Sequence, residues 1–388
     1  MFIIWISSLM GIVLWDCRGT FWTGMLNGAG KLSKASAMNR IYLPYILGSD
    51  SPISYLYQNI AAKLDPACFS VTVLRNQRNP LLDAPNVTEL YGFDRSATLK
   101  YPAHARAALR GHDLIHTGGY PRLRYVLARL TRLRNPGIKQ VHSLRVDVDP
   151  DGPYQTAYKQ KLVDIADTVT AVSEHTAATA REHLGVSPEV VYNGVDTDLF
   201  RPEYERPELF DKLGIDRPVL LYVGSFQRRK RPRALLEVAR HTDEFAVLMI
   251  GNGTLHEEIS TAARDLDTLY TPGRLAKHRL PAVYANSAGF VFPSVKEGCP
   301  NVVLEAMAAA LPVVGYRATS MPELIKDGAR GYLVEPDATT ALCDAVDRLA
   351  DEQLRRELGQ RGREYVEANH TFETIVGQYQ SIYETLLE

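Results

Sequence analysis

Glu297-Gly298-Cys299-Pro300-Asn301-Val302-Val303-Leu304-Glu305 joins a strand end to a helix start, and the architecture of the chain follows from it. An apolar strand, Gly289-Phe290-Val291-Phe292, runs into Pro293-Ser294 ahead of it, and a helix is expected from about Asn301 to Ala310. Glu297 therefore falls at a strand-to-helix turn, and Glu305 falls one turn into the helix. Ligands of open α/β sheets bind at the carboxyl ends of the strands. The free N–H groups of the following helix start favour an anion such as a phosphate. Two carboxylates flanking that point could accept hydrogen bonds from neutral hydroxyls, as on a ribose and a sugar ring.

Working outward, 388 residues exceed one ordinary core and predict two domains. A composition of 45% hydrophobic and 23% charged residues is that of a soluble globular protein. Net charge is −1, yet Arg95–Arg145 holds eleven Lys/Arg and one acid, Asp113. Such a basic first half suggests an anionic partner, a membrane surface or a phosphorylated acceptor, or else a solvated basic face. Cys17, Cys68, Cys299 and Cys343 show neither metal nor disulfide spacing, which suits a reducing cytoplasm. The sequon Asn86-Val87-Thr88 then carries no glycan. Met1–Trp15 is apolar but short of the roughly 20 residues that span a bilayer, and residues 1–37 read as a non-core extension, with a membrane anchor as the alternative.

From Arg40 onward strands alternate with helices: strands at Ile41–Ile46, Ser70–Leu74, Asp113–His116 and Ile138–His142, and a helix at Ser54–Leu64. This alternation predicts an α/β fold with parallel sheets covered on both faces. Tyr120–Arg134 sets Leu123, Val126, Leu127, Leu130 and Leu133 at helical spacing among five arginines. It reads as a sheet-covering helix or as a basic amphipathic helix on an anionic membrane. Asp147-Val148-Asp149 and Asp196-Thr197-Asp198 spell Asp-x-Asp, but one runs into a Pro-Asp-Gly turn and the other lies in a crossing segment, so no metal site is expected. Ser173 is placed to cap a helix, and Pro202, Pro207 and Pro218 mark a linker. The second half restarts at Val219–Gly224, followed by Ser225-Phe226-Gln227-Arg228-Arg229-Lys230. A strand-end glycine followed by cations suits a diphosphate leaving group.

The run Pro293-Ser294…Glu297-Gly298…Asn301-Val302-Val303-Leu304-Glu305-Ala306-Met307-Ala308…Leu311-Pro312-Val313-Val314 resembles the signature of retaining glycosyltransferases of family 4. Asn193-Gly194-Val195-Asp196 and Gly251-Asn252-Gly253 extend the resemblance, which covers about residues 38–388. It implies two Rossmann-like domains facing each other across a cleft, the GT-B fold. Their expected limits are 38–195 for an acceptor-side domain, 196–217 for a linker and 218–370 for a nucleotide-sugar domain. Residues 371–388 would form a helix packing back on the first domain.

The resemblance also implies roles. Glu305 would hold ribose hydroxyls, Glu297 a donor-sugar hydroxyl and Lys230 the diphosphate, while amides around Gly298, Cys299, Pro300, Asn301 and Val302 would support sugar and phosphate. Gly48, Ser225, Arg229, Gly251, Gly253 and Arg274 complete the expected donor site, and His142 or Arg145 stands where relatives place a histidine near the sugar. The sequence departs from the family in having one glycine in the Gly48–Pro52 loop, Ser225 where an arginine is usual, and Arg145 where the histidine is expected. The implied activity is metal-independent transfer of a hexose-type sugar from a nucleotide sugar to a glycan or lipid-linked acceptor, in surface polysaccharide or glycolipid synthesis. No cofactor and no nucleic acid is implied, and the expected location is cytoplasmic, at most peripheral on the inner membrane face. A nucleotide-sugar epimerase, a non-catalytic sugar-nucleotide-binding subunit and a phosphorylase-like enzyme needing pyridoxal phosphate are the alternatives.

Overall fold

The structure, a computed structural model, describes residues 38–47, 52–75, 83–91, 104, 106–119, 121–149 and 153–388. The extension expected over residues 1–37, the loop residues Gly48 to Ser51, Tyr120 and the Pro150–Gly152 turn lie outside the described residues.

Thirteen strands form two all-parallel sheets among the described residues. The first contains β1 (Asn39–Leu47), β2 (Phe69–Arg75), β3 (Val87–Tyr91), β4 (Leu114–Gly118), β5 (Lys139–Leu144), β6 (Thr168–Ala171) and β7 (Glu189–Val190), in the order β3-β2-β1-β4-β5-β6-β7. The second contains β8 (Val219–Val223), β9 (Ala246–Ile250), β10 (Leu269–Gly273), β11 (Gly289–Phe292), β12 (Val313–Tyr316) and β13 (Gly331–Val334), in the order β10-β9-β8-β11-β12-β13. Strand order reverses between β1 and β4 in one sheet and between β8 and β11 in the other. Those reversal points are where a doubly wound sheet opens a crevice for a ligand.

The apolar runs explain the sheets. Val219-Leu220-Leu221-Tyr222-Val223 and Ala246-Val247-Leu248-Met249-Ile250 are buried along their whole length, as strands covered by helices on both faces must be. The helix Glu174–Leu184 begins on Ser173, whose hydroxyl accepts the Thr176 amide at 3.1 Å, as its sequence position predicts. The final helix, Phe372–Leu387, buries Ile375, Val376, Tyr379 and Tyr383 against Leu56, Tyr57, Ile60 and Phe69 beside the first sheet. β3 was not foreseen. Asn86, just ahead of it, is buried with its side-chain amide 3.4 Å from the Leu64 carbonyl, whereas Thr88 of the same sequon is exposed.

Candidate active site

A cavity of about 890 Å³ opens at the carboxyl ends of β8, β9 and β10. Gly224 and Ser225 form one wall, Gly251, Asn252 and Gly253 another, and Arg274 to Lys277 a third. Asn301, Val302 and Glu305 of the helix Asn301–Ala308 close the fourth side. The two glycines are needed where they stand. Gly251 has φ 157°, and a Cβ there would fall 1.8 Å from the Gly224 carbonyl oxygen; one on Gly253 would fall 2.6 Å from that of Phe226. Only bare backbone lets the ends of β8 and β9 approach so closely. Ser225, Gly251, Gly253, Arg274, Asn301, Val302 and Glu305, seven residues singled out from sequence, thus meet in one cavity.

Glu305 projects from the helix with the fully buried Tyr284 donating to its Oε2 at 3.1 Å. Burial pushes the Glu305 carboxyl above its ordinary range, opposed by the Lys277 charge and by the Tyr284 hydroxyl. Lys277, absent from the sequence expectations, lines the cavity and places its ammonium 3.4 Å from the centre of the Tyr55 ring, on the first-sheet side. Tyr284 and Lys277 carry no motif of their own. Their roles come from tertiary contacts, Tyr284 with Glu305 and Lys277 with Tyr55.

Glu297 stands beside the cavity rather than in its lining. Its Oε1 pairs with Lys230, accepts from the Ser294 hydroxyl at 2.5 Å and lies 3.7 Å from Arg229 Nη1. Lys230 also approaches the Phe292 ring, at 4.9 Å from its centre. Burial pushes the Lys230 ammonium down, and the Glu297 carboxylate holds it up. Glu297 and Lys230 are only 11 and 12% exposed, so both charges are poised in a low-dielectric pocket. Pro300 caps the helix start through its carbonyl, which accepts from Val303 and Leu304 at 3.1 and 3.3 Å. The Asn301 and Val302 amides belong to the first turn, which has no intrahelical acceptors. Cys299 is buried, and its thiol is pushed up to about 12, so it stays protonated.

Asn193 joins the two halves. Its amide donates to the Cys299 carbonyl at 2.7 Å and to Asn301 Oδ1 at 2.6 Å, while its Oδ1 accepts from Arg145 Nη2 at 2.5 Å. A Cβ on Gly298 would fall 2.6 Å from the Arg145 carbonyl oxygen, so the loop bearing Glu297 touches the end of β5 directly. His142 is not brought to the cavity. It is enclosed within the first sheet, with Nδ1 2.9 Å from Thr117 Oγ1, and burial pushes it down to about 3. Gly48 lies outside the described residues.

The helix Pro121–Arg134 divides its stripe. Leu127 is buried with Leu123 and Leu130 against it, whereas Val126 and Leu133 are 52 and 70% exposed. Arg124 does not flank the outer face as the stripe implied. It turns inward to the Pro44 and Gly118 carbonyls and lies 4.3 Å over the Tyr45 ring. Of the two Asp-x-Asp runs, Asp196 accepts the Asp198 and Leu199 amides at 3.2 and 2.9 Å, and Asp149 pairs with Lys296. No cluster of three or more His, Cys, Asp or Glu suited to a metal occurs among the described residues. None of the described helices is long and apolar enough to cross a membrane.

Comparison with known proteins adds two family matches. The family described as Glycosyl transferases group 1 matches residues 205–365, and Glycosyltransferase Family 4 matches residues 55–199. The chain is 30% identical to N-acetyl-alpha-D-glucosaminyl L-malate synthase of Bacillus anthracis over 58% of this chain and 61% of that protein. It is 31% identical to alpha-maltose-1-phosphate synthase of Mycolicibacterium smegmatis over 60% of this chain and 67% of that one. The matched stretch thus spans only 61 to 67% of the length of these curated relatives. Among solved structures, sucrose-phosphate synthase from Thermosynechococcus elongatus superposes with a TM-score of 0.73 at 22% identity, over 90% of this chain and 99% of that chain. Anabaena HepE in complex with UDP-glucose gives 0.73 at 17% identity, over 90% of this chain and 100% of the other. At those identities the likeness speaks for the fold.

Proposed function

Because the chain belongs to the glycosyltransferases of family 4, group 1 type, with two Rossmann-like domains in the GT-B arrangement, we propose that it transfers a hexose-type sugar from a nucleotide sugar to a glycan or lipid-linked acceptor, with retention of anomeric configuration. The observation that carries this reading is the meeting of two strand-end glycine turns, a helix start and Glu305 around one cavity, with the Glu297–Lys230 pair at its edge.

The base would lie along the backbone near Arg274, and Glu305 would accept hydrogen bonds from the ribose. Lys230, supported by Arg229 and the Asn301 and Val302 amides, would meet the diphosphate charge without a divalent metal. Glu297, released from Lys230 as the phosphate arrives, would accept from a hydroxyl of the donor sugar. As the bond from the anomeric carbon to the phosphate oxygen breaks, its electron pair goes to the diphosphate. The acceptor oxygen bonds to the same face of that carbon, and its proton passes to a leaving phosphate oxygen. Closure of the cleft would exclude water and limit donor hydrolysis. HepE was solved with UDP-glucose, which supports including UDP-sugars among the donors.

The purified protein should release nucleoside diphosphate from one of the UDP-, GDP- or ADP-sugars, insensitively to chelators, and Glu297→Ala and Lys230→Ala should each abolish release. Binding without turnover across the panel would instead identify a silent binding subunit. Interconversion of donor sugars without acceptor would identify an epimerase. Exposed Val126 and Leu133 beside exposed Arg122, Arg129 and Arg134 support peripheral contact with an anionic membrane. Vesicle co-sedimentation tests it, and equal binding to neutral and anionic vesicles would count against it.

A further inference from the structure

Arg145 follows β5, which lies next to β4 at the reversal point of the first sheet. Its Nη2 is taken by Asn193, but Nε and Nη1 are buried and have no hydrogen-bond partner among the described residues. Those residues also offer it no carboxylate within ion-pair distance. The Tyr45 hydroxyl, on β1, is a second buried group, with the Tyr57 hydroxyl beside it but no acceptor for its own proton among the described residues, on a residue only 4% exposed. Tyr45 stacks on Tyr57 at 3.6 Å between centroids, with the Arg124 guanidinium 4.3 Å from its ring centre, so the phenol is fixed in place. A guanidinium with buried, half-paired nitrogens is destabilising unless something supplies the missing acceptors. The carbonyl of Arg145 meets the Gly298 position of the opposite loop, and Asn193, which holds its Nη2, also reaches Asn301, so the side chain lies at the junction between the end of β5 and that helix start.

We propose that Arg145 and the Tyr45 hydroxyl form an anion subsite that recognises a carboxylate or phosphate group on the donor sugar or on the acceptor. A neutral hydroxyl could satisfy a hydrogen bond there but would leave the arginine's charge uncompensated in a confined site. The diphosphate itself is served from the second sheet by Lys230 and the Asn301 and Val302 amides, so a separate anionic group is the fitting occupant. This inference rests on the cleft being the sugar-transfer site, and it narrows the substrate class.

The test compares acidic with neutral partners at each position: UDP-glucuronic acid against UDP-glucose for the donor, and glucose 6-phosphate against glucose for the acceptor. Calorimetric binding, with UDP present in the acceptor arm, is measured for the wild type, Arg145→Gln, Arg145→Lys and Tyr45→Phe. The wild type should prefer the acidic member of at least one pair by on the order of 100-fold, the scale of a charge-assisted hydrogen bond. Arg145→Gln should collapse that ratio towards one whatever loss both ligands share, Arg145→Lys should keep part of it, and Tyr45→Phe should lower it a few-fold. No preference in the wild type, or a ratio unchanged in Arg145→Gln and Arg145→Lys, overturns the subsite and leaves Arg145 a support for Asn193. Because binding is the readout, a protein that discriminates acidic ligands but turns over no nucleotide sugar would refute glycosyl transfer while retaining the subsite.

Discussion

Replacing Tyr284 by Phe tests the ribose role of Glu305 through a single oxygen atom. The ring is fully buried and sits 5.5 Å from Phe200 and 5.7 Å from Phe290, centroid to centroid, contacts that phenylalanine preserves. What disappears is the hydroxyl's donation to Glu305 Oε2 at 3.1 Å, with its longer contact to the Val302 carbonyl at 3.4 Å. A hydrogen bond to a charged group contributes about 1.5–3 kcal/mol, equivalent to roughly 10- to 150-fold in Kd if the loss is felt fully by the ligand. Burial already pushes the Glu305 carboxyl up, and the hydroxyl is one of two groups opposing that shift. The variant should therefore protonate Glu305 at a higher pH than the wild type. Calorimetry would compare a nucleoside diphosphate with its 2′,3′-dideoxy analogue, near pH 8 and again near pH 5.5, about one pH unit above the ordinary carboxylate range. The wild type should favour the ribose form, Tyr284→Phe should narrow that gap by up to the stated factor, and acidification should narrow it further in the variant. Affinity for the dideoxy analogue should stay the same. A gap equal in both proteins, or a wild type indifferent to the ribose hydroxyls, would refute the assignment of Glu305.

Glu323 offers a second test: its carboxylate accepts the Glu174 and His175 amides at 2.9 Å each and the Tyr192 hydroxyl at 2.8 Å, bridging from beside the second sheet to a helix start beside the first. A lost cap of this kind costs about 0.5–2 kcal/mol, so Glu323→Ala should raise the donor KM and widen the solution scattering radius, and unchanged values of both would sink the latch. Acid should destabilise the protein through buried neutral histidines. Burial holds His104, His112 and His370 at about 4 and His142 at about 3, against 6.5 for the free side chain. Below pH 6.5 the unfolded chain takes up more protons than the folded one, so stability is full above that value and falls as pH drops towards 4. Fully developed, one such displacement is on the order of 3 kcal/mol; urea titrations that show no slope across this window would refute it. Gly251→Ala should cost at least about 2 kcal/mol, because its Cβ would sit 1.8 Å from the Gly224 oxygen. Gly377→Ala, with nothing within 4 Å in the final helix, should gain roughly 0.5–1 kcal/mol, and thermal unfolding reads both.

What could be read from the sequence was what is local. The runs 219–223, 246–250 and 289–292 are apolar because both faces of a parallel strand are covered, so they declare the sheet without reference to any partner. Glu297, Glu305 and the Gly251–Gly253 turn were legible for the same reason: strand, turn and helix start are adjacent in the chain. Val87–Tyr91 was hidden because a short edge strand with two polar residues carries little burial signal, and its first two residues also complete the sequon that begins at Asn86. The helical stripe around Leu127 was visible, but not that Arg124 would turn inward, since its acceptors at Pro44 and Gly118 belong to two other strands.

The same distinction explains why the donor side of the cleft was easier to foresee than the opposite wall. Lys277 meets Tyr55, Glu323 meets Glu174 and Tyr192, and Asn193 meets Cys299 and Asn301, each across more than a hundred residues. These are the contacts that set one half of the molecule against the other. Sequence spacing is silent on them because their partners are brought together only by the tertiary fold. Asn193 is the most economical of these links: one side-chain amide spends its donors on the loop carrying Glu297 and its acceptor on Arg145. An anionic group drawn to Arg145 would therefore pull on the same amide that steadies the Glu297 loop, which places recognition on one wall and sugar positioning on the other in mechanical contact.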